Sequence, residues 1–164
     1  EYPQEEKYDR NDHMLSPAHF AKLTSWCERS FTIDACASTG NKRVHRFISR
    51  LPVSGEGCVA VNVFSYTFPL RADKSEEFVY VNPPWPIISG LWAHLRQCKA
   101  TGVMVFPKTP SAVWFGDVLS SASWVRTLAK AGDKNVFLQP SRDYKSSVGP
   151  VPWDVLAARF DFSR

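Results

Sequence analysis

The chain has 164 residues, a length that predicts one domain large enough to bury its own hydrophobic core. Its 44% hydrophobic and 13% aromatic content is typical of a globular protein, and no apolar run approaches the roughly 18 residues that a membrane span needs. The start of the chain lacks the pattern of a signal peptide. A formal net charge of +4 is compatible with a nucleic-acid partner but does not identify one.

The four cysteines are widely and irregularly spaced, at positions 27, 36, 58 and 98, without a C-x-x-C pair. This spacing argues against a zinc site, and the four histidines are scattered as well, so we expect no metal. We expect the cysteines to be reduced thiols in an intracellular protein. Because the chain begins at Glu1 rather than at Met, we also expect it to be a piece of a longer polypeptide.

Polar and charged residues dominate 1–13 and predict a lead-in to a single domain over 14–164. Ser16-Pro17 predicts a helix start, with serine at the N-cap and proline in the first turn. The later predicted elements, in chain order, are a strand at 31–34, a small-residue loop at 35–41, a helix or irregular basic segment at 42–50, strands at 59–64 and 77–81, a helix at 88–99, an apolar strand at 102–107, a helix at 111–119, two segments at 124–128 and 136–138 around a turn, and a strand at 156–162. Strands that alternate with helices predict an α/β protein with a largely parallel sheet.

The tetrapeptide Asn82-Pro83-Pro84-Trp85 directly follows the predicted strand at 77–81. The side-chain carbonyl of Asn82 and the main-chain carbonyl of Pro83 can each accept one hydrogen of a base amino group, which favours a pyramidal, nucleophilic nitrogen. Pro84 has no N–H and a fixed φ, so it stiffens the turn without adding a donor. Trp85 offers a ring on which an extruded base can stack. The motif therefore predicts chemistry on the exocyclic amino group of a nucleobase.

A purely structural interpretation of the same tetrapeptide is a strand terminator followed by a core tryptophan, since Asn-Pro and Pro-Pro are common in turns. The position of the tetrapeptide at the end of a predicted strand favours the functional interpretation. A buried strand that opens at its carboxyl end onto a helix is where α/β sheets bind their ligands. We therefore take these four residues as the predicted catalytic group.

A second candidate site is the loop from Asp34 to Gly40, at the end of the predicted strand at 31–34. Small residues there let backbone N–H groups approach a ligand, and the Asp34 carboxylate can hold an amine or a hydroxyl. The loop is a weakened version of the D-x-F-x-G-x-G pattern of S-adenosylmethionine enzymes, with Cys36 in place of the aromatic residue and Ser38 in place of the first glycine. Ordinary turn chemistry is the alternative, because small residues after a strand are common.

Basic residues follow this loop closely, and two interpretations of them stay open: a solvated face and a contact with nucleic-acid phosphates. Lys108 follows the predicted strand at 102–107 and would lie on the same rim as Trp85, where it could touch a phosphate or cap the next helix. The predicted nucleic-acid contacts are Lys42, Arg43, Arg46 and Lys108.

Taken together, these motifs resemble the Dam-like DNA adenine-N6 methyltransferases of phages. The matching residues are Pro17, Phe20, Leu23, the run from Phe31 to Ser38, Asn41, and the run from Val81 to Trp85. The similarity extends over residues 14–162. The chain is also similar to the Dam-like domain of DIRS-type tyrosine-recombinase retrotransposons, where a D-x-F-S run stands at the position of Asn62-Val63-Phe64-Ser65.

The resemblance implies a Rossmann-like S-adenosylmethionine-dependent methyltransferase fold, with a mostly parallel sheet and helices on both faces. It implies methyl transfer to the N6 amino group of an adenine in DNA that is flipped out or single-stranded. The residues at the positions of the family's cofactor motifs are Pro17, Asp34, Ala35, Cys36, Ala37, Ser38 and Asn62. The implied partners are DNA and, in the retrotransposon case, other domains of the same polyprotein, without a membrane. The implied location is the nucleus in a eukaryote and the cytoplasm in a phage or bacterial host.

Two departures from the family pattern bear on activity. Asn62 stands where these families carry an acidic residue expected to contact the cofactor, and Ser38 replaces a glycine, so we expect weakened cofactor binding. Trp85 in place of tyrosine keeps the stacking face, as in the RNA adenine methyltransferases with D-P-P-W. Two alternatives therefore stay open: a catalytically inactive methyltransferase-like module that binds nucleic acid or protein, and an enzyme that methylates adenine in RNA.

Overall fold

The structure is a computed structural model that describes residues 13–53, 56–138 and 148–164. Its elements, in chain order, are β1 (Met14–Leu15), α1 (Pro17–Cys27), β2 (Ile33–Asp34), β3 (Phe47–Ser49), β4 (Cys58–Val61), β5 (Phe78–Val81), α2 (Ile88–Gln97), β6 (Thr101–Pro107), α3 (Phe115–Ser121), β7 (Trp124–Ala129), β8 (Phe137–Leu138) and β9 (Val155–Asp161). Short 3-10 turns at Val63–Ser65 and Trp85–Ile87 follow β4 and β5.

Seven of the described strands form one sheet in the order β4-β3-β2-β5-β6-β9-β7. The first five in that order run parallel, whereas β9 is antiparallel to both of its neighbours, so β7 points the same way as β6. The strands β1 and β8 pair separately in an antiparallel ribbon. The protein is therefore an α/β protein with a mostly parallel mixed sheet flanked by helices, which confirms the predicted class.

Both faces of the sheet are buried, which explains the continuous apolar runs of β5 and β6. On one face Val79 and Val81 pack in a core with α2 and α3, and on the other Phe78 and Tyr80 pack in a core with Leu23 of α1. Because successive strand side chains point to opposite faces, one strand supplies both cores. No helix in the described ranges combines the length and apolar composition needed to cross a bilayer.

Most predicted elements are present, with shifted ends. The helix start is confirmed: the Ser16 hydroxyl accepts the His19 N–H at 3.1 Å, and Pro17 lies in the first turn. The helix predicted at 111–119 begins only at Phe115 and ends at Ser121. Residues 109–114 instead form turns, in which the Ala112 N–H bonds the Thr109 carbonyl and the Phe115 N–H bonds the Ala112 carbonyl.

Two other elements differ in the structure from what the sequence predicts. The basic segment at 42–50 forms no helix, because its Phe47–Ser49 part is the buried strand β3, paired with β2 on one side and β4 on the other. The strand predicted at 59–64 ends at Val61, since Asn62 takes a positive φ of 69° and caps the following 3-10 turn. Of the lead-in predicted at 1–13, residues 1–12 lie outside the described residues.

A buried glutamate ties the amino ends of three parallel strands together. Glu77, just before β5, is 4% exposed. Its Oε1 accepts hydrogen bonds from Arg46, which precedes β3, at 2.7 Å and from Thr32, which precedes β2, at 2.6 Å. Burial by itself raises the pKa of Glu77, but the hydrogen bonds from Arg46 and Thr32 outweigh it and hold that pKa below its usual value.

Replacing Glu77 with glutamine should lower the free energy of unfolding by about 1–3 kcal/mol at neutral pH, because a charge-assisted contact with Arg46 is lost. The folded-state pKa is depressed, so the wild-type advantage is complete above the ordinary glutamate value of about 4.3 and is lost as the pH falls through the lower folded value. Urea unfolding across this pH range measures the difference, with the exposed Glu76→Gln as the matched control. A wild-type advantage that stays constant into acid would contradict this role of Glu77.

Candidate functional site

The carboxyl ends of β2 and β5 meet where the strand order of the sheet reverses. These two strands are parallel neighbours, with Asp34 opposite Tyr80 and the Ala35 N–H bonded to the Tyr80 carbonyl at 2.9 Å. From β2 the chain builds the sheet outward through β3 and β4, and from β5 it continues to β6 on the other side. Crevices at such reversals are the usual ligand sites of open α/β sheets. Asp34 and Asn82 thus lie at neighbouring strand ends, where the sequence predicts them.

Asn82 and Pro83 carry two hydrogen-bond acceptors that the described part of the fold does not use. Asn82 is half-buried directly after β5, and Pro83 is buried. Among the described residues, neither the Asn82 amide nor the Pro83 carbonyl takes part in a hydrogen bond. The next carbonyl, that of Pro84, accepts the Ile87 N–H at 3.2 Å and begins the 3-10 turn. The prolines at 84 and 86 have no N–H with which to engage the two acceptors.

Trp85 is 51% exposed, a high value for so large an apolar side chain. Its ring meets that of Trp153, with centroids 4.6 Å apart and planes at 74°. The segment that carries Trp153 is tied to the end of β6, because the Lys108 N–H bonds the Asp154 carbonyl at 2.8 Å. A nearly perpendicular neighbour holds the indole of Trp85 in place and leaves much of it exposed.

Trp153 is a site residue that sequence reasoning missed, because a tryptophan before an apolar strand is assigned to the core by default. It does pack against the core beneath α1, but it also contacts Trp85. The available signal in the sequence was the Pro152-Trp153 pair shortly before the predicted last strand.

The loop after Asp34 is closed by its own hydrogen bonds. The Asn41 side-chain oxygen accepts the Ser38 N–H at 2.6 Å, and the Ser38 hydroxyl accepts the Asn41 N–H at 3.2 Å. The Asp34 carboxylate, which is 2% exposed, accepts the Arg43 N–H at 2.9 Å. The other predicted cofactor residues of the loop are the buried Ala35 and Ala37 and the half-buried Cys36.

A buried tyrosine hydroxyl lies close to Asp34. Tyr80 is 1% exposed, and its hydroxyl has no hydrogen-bond partner in the described part of the chain. Burial raises the pKa of Tyr80 well above its usual value, and the Asp34 carboxylate adds to the effect. The hydroxyl therefore stays protonated and is a potential donor beside the loop. Sequence reasoning missed Tyr80, because its place in an apolar strand indicates only a core residue.

Pro17 and Asn62 complete the predicted cofactor residues. Pro17 is exposed in the first turn of α1, and Phe20 of the same helix packs its ring edge-on against Tyr80 at 5.0 Å. Asn62 follows β4, two strand spacings or about 10 Å from β2. Its side-chain oxygen accepts the Phe64 N–H at 3.0 Å, which leaves the amide nitrogen for a ligand.

Three of the predicted nucleic-acid contacts lie at the same end of the sheet as the loop. Lys108 is exposed directly after β6. The Lys42 N–H bonds the Ser38 carbonyl at 3.1 Å, and the Arg43 N–H bonds Asp34, so the backbone of both residues belongs to the loop.

Arg46, the fourth predicted contact, is engaged inside the fold. Its guanidinium forms an ion pair with Glu77 at 2.7 Å. Glu77 precedes β5 and Asn82 follows it, a separation of about 16 Å at the usual rise of a strand. Arg46 therefore has a structural contact at the far end of β5, which the sequence did not indicate.

A cavity of about 330 Å³ lies at that far end, near the amino ends of β5 and β6. Its buried polar side chains already have partners: Glu77 binds Arg46, and the Thr101 hydroxyl donates to Asp161 at 3.3 Å. The buried polar groups of this cavity are thus engaged within the fold, whereas a ligand site usually offers such groups to the ligand. Within the described ranges, no group of three or more metal-ligating side chains is present.

No protein-family model matches this chain, and a search of curated proteins gives no match either. What the site can do chemically follows from its residues. Asn82 and Pro83 can accept hydrogens, Trp85 can stack on a planar ring, and Asp34 beside Tyr80 can hold a polar or cationic group.

Asn41→Ala should lower the free energy of unfolding by about 1–3 kcal/mol, because the Ser38 N–H in the loop loses its short bond to a buried acceptor. Ser38→Ala removes only the longer bond, in which the Ser38 hydroxyl accepts the Asn41 N–H, so it should lower the free energy of unfolding by less. Urea unfolding of both variants measures the difference. Equal stability of Asn41→Ala and wild type would contradict the closure of the loop by Asn41.

Proposed function

We propose that the protein transfers a methyl group from S-adenosylmethionine to the exocyclic N6 amino group of adenine in DNA. The observation that carries the proposal is the arrangement of Asn82-Pro83-Pro84-Trp85 at the end of β5. Two hydrogen-bond acceptors that the described fold does not use lie beside the half-exposed indole ring of Trp85. This motif neighbours the Asp34 loop across the parallel pair β2 and β5. Such a pairing of a base site with a cofactor site is what the family resemblance implies.

The strand order supports the Rossmann-like part of the proposal. Numbered along the chain from β2 to β7, the six parallel strands lie in the order 3-2-1-4-5-6, which is that of doubly wound nucleotide-binding sheets. The antiparallel strand β9 is inserted between the fifth and sixth. Ligands of such sheets bind at the reversal between the first and fourth strands, where Asp34 and Asn82 lie.

The residues at the ends of β2 and β4 suit S-adenosylmethionine. The Asp34 carboxylate fits an amino group or a hydroxyl. The Tyr80 hydroxyl close by, which has no hydrogen-bond partner within the described ranges, can donate to the ligand's polar end. Small residues from Ala35 to Ser38 allow close approach of the backbone, and the amide nitrogen of Asn62 fits the adenosine end. When bound, S-adenosylmethionine supplies an electrophilic methyl group on a sulfonium.

Asn82 and Pro83 act on the amino group of the target base. Each oxygen accepts one N–H hydrogen, which draws the nitrogen lone pair out of conjugation with the ring. These hydrogen bonds strengthen as positive charge develops on the nitrogen, so they stabilise the transition state more than the ground state. Trp85, braced by Trp153, stacks on the flipped base and fixes its orientation.

A nucleic-acid-binding module that retains this shape is the second candidate, and the internal hydrogen bonds of the predicted cofactor residues favour it. The loop at Asp34 is closed internally, since the N–H groups of Ser38 and Arg43 are bound by Asn41 and Asp34. The side-chain oxygen of Asn62 caps its own turn. These are groups that a cofactor would otherwise use, so cofactor binding separates the two candidates.

Methyl transfer tests the proposal directly. Wild type with labelled cofactor and single-stranded DNA that contains adenine should form N6-methyladenine, measured by mass spectrometry of the nucleosides. Asn82→Ala should lower the single-turnover rate by about 10²–10³-fold with little change in DNA affinity, because the lost acceptor acts mainly in the transition state. Asn82→Asp keeps an acceptor oxygen, should retain more activity, and is the matched control.

Trp85→Ala should weaken DNA binding as well as the rate, since stacking contributes about 1–3 kcal/mol per base. If wild type and Asn82→Ala both give only the background of a reaction without protein, while DNA binding persists, the proposal fails and the binding module takes its place.

Asn62→Asp should tighten S-adenosylmethionine binding by about tenfold. The second carboxylate oxygen would accept a charge-assisted hydrogen bond from a ribose hydroxyl, which is roughly twice as strong as the neutral bond that the amide nitrogen donates. The carboxylate can still cap the turn by accepting the Phe64 N–H. Isothermal titration calorimetry measures the change, and Asn135→Asp at an exposed turn is the matched control. If neither wild type nor Asn62→Asp gives a heat of binding at millimolar cofactor, the result would support the binding module.

A further inference from the structure

Cations and aromatic rings are interleaved where α1, β7 and β9 meet. The Arg126 guanidinium lies 4.5 Å from the ring centroid of Trp124 and 5.5 Å from that of Trp26. The Lys22 ammonium lies 5.2 Å from Trp26, and the two indoles meet almost perpendicularly at 6.1 Å. The α1–β7 patch comprises Lys22, Trp26, Arg29, Trp124, Arg126 and Arg159.

Three guanidinium groups of the patch are concentrated around Cys27. Arg29 and Arg159 lie 4.1 Å and 4.8 Å from the ring centroid of Phe78. Burial raises the pKa of the Cys27 thiol, while Arg159, Arg126 and Arg29 each act to lower it, which places all three charges close to one group. Like charges gathered around one group repel one another, and a bound anion relieves that repulsion.

The patch has no acidic partner within the described residues. No carboxylate there lies within 4.0 Å of a charged nitrogen of Lys22, Arg29, Arg126 or Arg159. The Nε of Arg159 is buried and has no hydrogen-bond partner in the same residues. The carboxyl end of α1 supplies only about half a negative charge, which does not balance three guanidinium groups. The patch therefore fits an external anion.

The need to keep the edge of the sheet from pairing with another sheet explains only part of the patch. Arg126 lies on β7, an edge strand of the sheet, where one charge suffices to block pairing with another sheet. That role explains neither the indoles nor the other guanidinium groups. Planar guanidinium groups match phosphate geometry, and partly exposed indoles stack on bases.

We infer that the α1–β7 patch is a second nucleic-acid contact, which binds the phosphodiester backbone of a single strand that flanks the target base. The identity of the partner rests on the proposed function, whereas the geometry of the patch does not. Phe78 begins β5 and Asn82 follows it, a distance of about 13 Å along the strand. A stacked strand advances about 3.4 Å along its axis per nucleotide, so roughly four nucleotides cover that distance.

Fluorescence anisotropy with a labelled single-stranded oligonucleotide, without cofactor, tests the inference. The patch variant Arg29→Gln/Arg126→Gln is compared with Lys74→Gln/Lys99→Gln, which removes the same charge from exposed lysines elsewhere. The patch variant should bind about tenfold more weakly, and its slope of log affinity against log salt should fall by about 1.4, at about 0.7 per phosphate contact. The control should change affinity by less than about twofold.

Equal weakening by the two double variants would overturn the inference, because net charge alone would then explain the binding. It would also be overturned if the patch variant lost affinity for polyglutamate but not for DNA, which would assign the patch to an acidic protein segment. Arg126→Lys keeps the charge at an exposed position and loses only the planar guanidinium, so it should bind more tightly than the patch variant and separates loss of contact from misfolding. This binding is measured without cofactor and therefore without methyl transfer, so failure of methyl transfer and failure of the patch are seen separately.

Discussion

The parallel pairing of β2 with β5 is the contact on which the candidate site depends. It sets Asp34 opposite Tyr80, so the loops that follow the two strands leave the sheet side by side. A shift of one residue in this register would turn the Asp34 carboxylate to the opposite face of the sheet, because strand side chains alternate. At the amino ends of the same strands, Glu77 accepts hydrogen bonds from Thr32 and Arg46. These bonds connect β5 to the residues that precede β2 and β3.

The local sequence pattern was enough to predict the features that depend on residues close together in the chain. Ser16-Pro17 caps α1 through a residue three positions away, and the buried run before Asn82 forms a strand because both faces of the sheet are covered. The strand at Phe47–Ser49 could not be predicted in the same way. It follows a basic, irregular stretch and becomes a strand because β2 and β4 pair with it on its two sides.

The parts of the site that the sequence did not predict arise from contacts between distant residues. Trp153 braces Trp85 only because the segment before β9 is tied to the end of β6. Tyr80 offers a buried hydroxyl beside Asp34, without a hydrogen-bond partner among the described residues, because β2 pairs with β5 in this register. Arg46 shows the opposite effect. The sequence predicts it as a nucleic-acid contact, whereas in the fold its guanidinium is bound by the buried Glu77 carboxylate.

Whether one ligand contacts both strand ends is the most direct test of a shared site for cofactor and base. Amide NMR spectra of isotope-labelled protein, titrated with S-adenosylhomocysteine, measure this residue by residue. A shared site predicts concerted shift changes over Asp34–Asn41, at Asn62, and at the amides of Asn82 and Trp85. Changes confined to the residues around the cavity at the amino ends of β5 and β6, or no changes at millimolar ligand, would contradict it.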